Sequence, residues 1–85
     1  MCTMINECAE ISGGGKGPQG WFAVNQVSVG FDHPTFVRLE HAITLDFMDK
    51  DAGPAARVAV EMTPESARQL IASLELALAR GKDVE

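Results

Sequence analysis

Five residues carry side chains that could hold a metal or drive a reaction: Cys2, Asp32, His33, Glu40 and His41. A thiolate, imidazoles and carboxylates are the donor set that zinc and iron take. The same groups admit a covalent reading, in which Cys2 is a nucleophile, a histidine its base, and Asp32 or Glu40 orients the ring. Neither reading is written in the spacing. The chain has no C-x₂-C pair, no H-x₃₋₅-H pair and no H-E-x-x-H element, so a site must be assembled by the fold. A lone histidine on the apolar parity of a strand, as His41 is, is ordinarily a hydrogen-bonded core residue, and its neighbours decide between the two.

The elements that would gather these residues read as four strands and a helix. Residues 2–11 form a first strand. Ser12 to Gly20, rich in Gly and closed by Pro18, reads as a flexible loop. Trp21 to Phe31 alternates apolar and polar, broken only by Asn25, and Pro34 ends it. Val37 to Phe47 alternates most clearly, with His41 on the apolar side, and Arg57 to Met62 is a fourth strand. Thr63, Pro64 and Glu65 are an N-cap, a first-turn proline and a first-turn acid. The stripe Ala67, Leu70, Ile71, Leu74, Ala77 and Leu78 then marks a helix that stops at Gly81, before a polar tail over 82–85.

Short links favour an antiparallel meander with the helix packed on one face, an α+β fold. Pairing across the glycine loop would set Ile11 opposite Trp21 and bring Cys2 to Gly30. Pairing around Asp32 to Phe36 would bring Gly30 to Leu39. Cys2, Asp32, His33, Glu40 and His41 would then meet at one end of the sheet, with Gly30 leaving space between them. The face away from the helix would show Phe22, Val24, Thr44 and Met48, an apolar surface suited to a second copy or a larger protein. The glycine loop is a poor phosphate cradle, because Gly15-Lys16 is followed by Gly17 and Pro18 rather than by Ser or Thr and a helix.

Composition narrows the classes. Eighty-five residues make one domain, residues 1–85, with a hydrophobic share of 46% and a charged share of 22%. A net charge of −5 argues against a nucleic-acid partner. No apolar run reaches the ~18–20 residues of a membrane span, and no signal-peptide pattern opens the chain, so a cytoplasmic protein is expected. A domain this small needs an added source of stability, from a disulfide, a metal or a subunit interface. Six residues of strand separate Cys2 from Cys8 by about 20 Å, beyond the ~7 Å limit between bridged Cα atoms. Cys8 then reads as a small hydrophobe, and a divalent metal (zinc or iron) or an oligomer is left.

Several segments recur together: Met1-Cys2-Thr3, Gly15-Lys16-Gly17, Gly20-Trp21-Phe22, Asp32-His33-Pro34, Glu40-His41, Asp46-Phe47 and Gly53-Pro54-Ala55-Ala56-Arg57-Val58-Ala59-Val60-Glu61. In these the chain resembles a family of short bacterial proteins of unknown function. The resemblance spans nearly the whole chain and implies no activity. The expectation that follows is a small metal-binding or accessory module, with Cys2, His33 and His41 as ligands and Asp32 or Glu40 beside them. A structural or interaction subunit using an open apolar sheet face, and a small Cys-His enzyme, are the alternatives.

Overall fold

The computed structural model describes residues 5–53 and 56–84. Strands β1 (Ile5–Gly17), β2 (Gly20–Asp32), β3 (Ala42–Met48) and β4 (Arg57–Met62) pair in chain order, each antiparallel to the next, and helix α1 (Pro64–Gly81) follows. The protein is therefore α+β, an antiparallel meander followed by one C-terminal helix, as the alternation and the capping residues imply.

The glycine-rich stretch behaves differently from its composition. Ser12 to Gly17 belongs to β1, and only Pro18 and Gln19 separate it from β2. Gly20 takes φ +109° at this tight turn, a conformation that side chains disfavour. The other glycines serve packing. A Cβ on Gly15 would lie 3.0 Å from Cγ2 of Val24 and 3.3 Å from Cζ of Phe22. Without one, Phe22 and Val24 fold down onto β1, and Val24 is 4% exposed. Glycine in a strand here marks close approach and not a break.

The tight turn also resets the register. Trp21 faces Lys16 rather than Ile11, and Gly30 faces Asn6 rather than Cys2, with one irregularity between Glu10 and Gly13. On its other side Gly30 faces Thr44, not Leu39, because β3 begins at Ala42 and residues 35–41 form a bent segment.

Registers across β2, β3 and β4 sort the faces. One face carries three apolar rows: Phe31, Ile43, Met62; Val29, Leu45, Val60; and Val27, Phe47, Val58. The other carries Gly30, Thr44, Glu61; Ser28, Asp46, Ala59; and Gln26, Met48, Arg57. The expected open apolar face of Phe22, Val24, Thr44 and Met48 is thus not the one found. Phe22 and Val24 are taken up by the β1 glycines, and around Thr44 and Met48 the surface is polar, with Asp46 paired to Arg57 at 2.6 Å.

Asn25, the single interruption in the β2 alternation, has a structural task. Its Nδ2 donates to Oδ1 of Asp49 at 3.1 Å, and its Oδ1 accepts from the Lys50 amide at 2.9 Å. It thereby holds the turn between β3 and β4. At the other end of β4, Thr63 caps α1 by accepting from the Ser66 amide at 3.0 Å. Pro64 confines Thr63 to extended geometry, seen as φ −67°, ψ 154°. The helix therefore leaves the sheet in a set direction. It packs little against the sheet: only Pro64, Ala67 and Gly81 are even half-covered, and none of its residues is buried. Among the described residues only Val24 and Ala42 are buried.

Candidate functional site

The end of the sheet where β2 turns into β3 holds four of the five expected residues; Cys2 lies outside the described ones. Asp32 closes β2, paired with Ala42, and its Oδ1 accepts from the His33 amide at 2.7 Å. Nδ1 of His33 lies 2.7 Å from the carbonyl oxygen of Glu40. A carbonyl can only accept, so Nδ1 carries a proton and donates it there. Glu40 itself is exposed and contributes here through its backbone.

The two histidines meet, as expected, by stacking. The rings of His33 and His41 are 4.8 Å apart and inclined by 29°, and His41 lies parallel to Phe31 at 5.3 Å. His41 extends the apolar face of the sheet as the middle of a Phe31–His41–His33 stack, a use of an inward imidazole that its parity foreshadowed. The space expected at Gly30 is occupied. A Cβ there would fall 2.6 Å from Oγ1 of Thr44. Among the described residues no group of three or more His, Cys, Asp or Glu is placed to hold a metal ion. Cys8, expected to act as a small hydrophobe, is an exposed free thiol on β1 opposite Ser28.

Sequence reasoning missed Glu61. Its Oε2 accepts from the Thr35 amide at 2.6 Å, and its Oε1 from the Phe36 and Val37 amides at 2.8 and 3.1 Å. These three backbone donors hold its carboxyl below the usual glutamate range. One carboxylate thus satisfies the amides of a segment that would otherwise continue as strand. The only signal in the sequence was a glutamate on the polar parity of β4, which is ordinary for a strand. The clamp fixes the bent segment with Phe36 88% exposed at its tip.

Because the folded carboxyl titrates below the unfolded one, its contribution is complete above the normal glutamate value of about 4.3. It is lost as pH falls through the lower, folded value. Glu61→Gln, which keeps one acceptor and loses the charge, should speed amide hydrogen exchange at Thr35, Phe36 and Val37 at neutral pH. In the unmodified protein the same amides should lose protection on acidification below about pH 4. Equal protection in both proteins would show that the clamp does not hold the segment.

Along its whole length, residues 1–85, the chain matches the model of a family of unknown function (DUF6295), and it belongs to that family. No curated protein and no solved structure matches it.

Proposed function

We propose that the chain is an interaction subunit, a binding module without chemistry of its own, that works by assembling through the apolar face of its sheet. One observation carries this reading. Nine apolar side chains from β2, β3 and β4 form a continuous face on which none is buried, and the apolar stripe of α1 is exposed as well. Contiguous apolar surface of that extent marks an interaction site in a soluble protein. The chemistry-bearing residues support it, since Asp32, His33, Glu61 and the Glu40 carbonyl are engaged in shaping the β2–β3 segment. Light scattering coupled to size exclusion tests the reading. An assembled mass well above the 9.1 kDa of one chain is expected; a folded monomer at micromolar concentration would overturn it.

A metal-binding reading keeps one favourable observation. The His33 Nδ1 proton is directed to a backbone carbonyl, and the second histidine ring lies 4.8 Å away. Carbonyl-oriented imidazoles are how metal-ligating histidines are commonly held. In this reading His33, His41 and Cys2 bind zinc or iron, with Asp32 or Glu40 nearby. Protein purified without chelator should then hold about one equivalent of metal, as the donor set of one such site implies. Cys2→Ala and His33→Ala should each lose it. Metal-free, fully folded protein would end this reading and leave the interaction reading intact.

A further inference from the structure

The apolar stripe of α1 is exposed, and the apolar sheet face is only partly covered, with Val60 exposed, the other eight residues half-buried and Phe31 stacked on His41. On α1, Leu70 is 39% exposed, Ile71 and Leu74 are each 56% and Leu78 is 72%. The helix cannot simply swing back. Thr63 alone joins Met62 to Pro64, and its conformation is set both by the proline and by its cap on Ser66.

Area says how much cover is missing. The accessible surface is 6701 Å², against about 4,900 Å² for a compact monomer of this mass. The excess, roughly 1,800 Å², is shared among α1, the sheet face and the exposed β1–β2 hairpin, and leaves room for the ~800 Å² that each partner contributes to a standard interface. The radius of gyration tells the same story, at 14.5 Å against about 12 Å for a compact chain of this length.

Resting on the interaction reading above, we propose that the partner is a second copy of this chain, and that each copy lays α1 across the nine-residue sheet face of the other. Reciprocal exchange is the arrangement that covers both surfaces at once. Contact between the two helices would leave both sheets open, and contact between the two sheets would leave both helices open. It is also isologous, as a two-fold dimer requires. Dimensions agree. From Leu70 to Leu78 the stripe runs about 12 Å along the helix axis, and three alternate rows of a strand span about 13 Å. No charged residue interrupts the three apolar rows within β2, β3 and β4; the nearest charge on that face is Glu7 of β1, beside Val29 at its edge.

Disulfide trapping tests the arrangement in a Cys2→Ser, Cys8→Ser background. Chains carrying Leu74→Cys are mixed with chains carrying Val60→Cys, both exposed positions where the substitution leaves the fold in place. Light scattering is run on the same samples, and circular dichroism checks that each is folded. A dimeric mass with the helix-to-sheet pair as the dominant crosslinked product is the expected result, at least tenfold over either self-pair. A dimer that forms only Leu74→Cys self-pairs, or no crosslink, overturns helix exchange and leaves self-association standing. A folded monomer overturns both, and a chain carrying both Leu74→Cys and Val60→Cys that closes its bridge within itself overturns helix exchange.

Discussion

Gly30→Ala lowers the melting temperature of this protein by roughly 5–10 °C, the outcome of an overpacking cost partly offset by the stiffer unfolded chain. Gly30 sits in β2 between Asn6 of β1 and Thr44 of β3, so its surroundings are backbone on both sides. The new Cβ would come within 2.6 Å of the Thr44 hydroxyl oxygen. Thr44 is β-branched, and turning it to move the hydroxyl away brings another branch into play. Overpacking of this kind costs about 1–3 kcal/mol, while replacing glycine in a strand returns about 0.5–1 kcal/mol. The position has no positive φ, so the cost comes from space and not from backbone conformation. Gly30→Ala combined with Thr44→Ala should therefore be more stable than Gly30→Ala alone, although Thr44→Ala by itself weakens the strand. Thermal unfolding of the four proteins of this cycle measures the coupling. Simple additivity would refute the steric account.

Replacing Ile71 and Leu74 together by Glu should dissociate the protein. Glutamate is a good helix former, so the helix itself is not weakened. What changes is the surface it offers. Burying one such side chain is worth about 1.5–3 kcal/mol, and in the proposed two-fold dimer each substitution counts twice. The dissociation constant should rise by at least about a thousandfold, equivalent to ~4 kcal/mol. The unsubstituted protein should melt a few degrees higher for each tenfold rise in concentration, because a dimer that unfolds to two chains gains about 1.4 kcal/mol per decade. The double variant should lose that dependence along with most of its stability. Leu76→Glu is the control. Leu76 is also exposed, at 52%, but lies on the far side of the helix from Leu74. It should leave the mass unchanged. A dimer that survives the Ile71 and Leu74 changes, or one that Leu76→Glu dissociates, would place the interface elsewhere.

Much of the architecture was legible in the residues. Alternation in β2 and in the second half of the Val37 to Phe47 run marked strands because a half-buried strand must alternate. Thr63, Pro64, Glu65 and the leucine spacing marked the helix. The failures have particular physical causes. Gly13 to Gly17 read as a loop because glycine is locally permissive, whereas its bare backbone is what allows Phe22 and Val24 to close on β1. That one misreading shifted the β1–β2 register and with it the expected β1 neighbour of Gly30. Residues 37–41 alternated well enough to be strand, yet Glu61 captures the amides of Thr35, Phe36 and Val37 at their start and the ladder begins at Ala42. A long-range carboxylate of this kind leaves no local trace.

The candidate site divides in the same way. That His33 and His41 come together followed from a turn at Asp32-His33-Pro34 between two antiparallel strands, and they do meet. Which proton His33 carries, and that His41 is sandwiched between His33 and Phe31, depended on a backbone carbonyl and on ring packing that no spacing encodes.

The sequence by itself determined the parts: four alternating strands, one capped helix, an acidic composition, and apolar stripes that local periodicity must produce. Tertiary structure alone decided which stripes are covered. The expected pairing of helix stripe with its own sheet face is an economy that any small domain would favour, but the rigid Thr63-Pro64 junction carries the helix away from it. The face expected to be open became polar or was taken up by glycines, and the face expected to be covered by the helix was left half-covered. Periodicity records that a side chain must be buried; direction of the chain at a single joint decides against what.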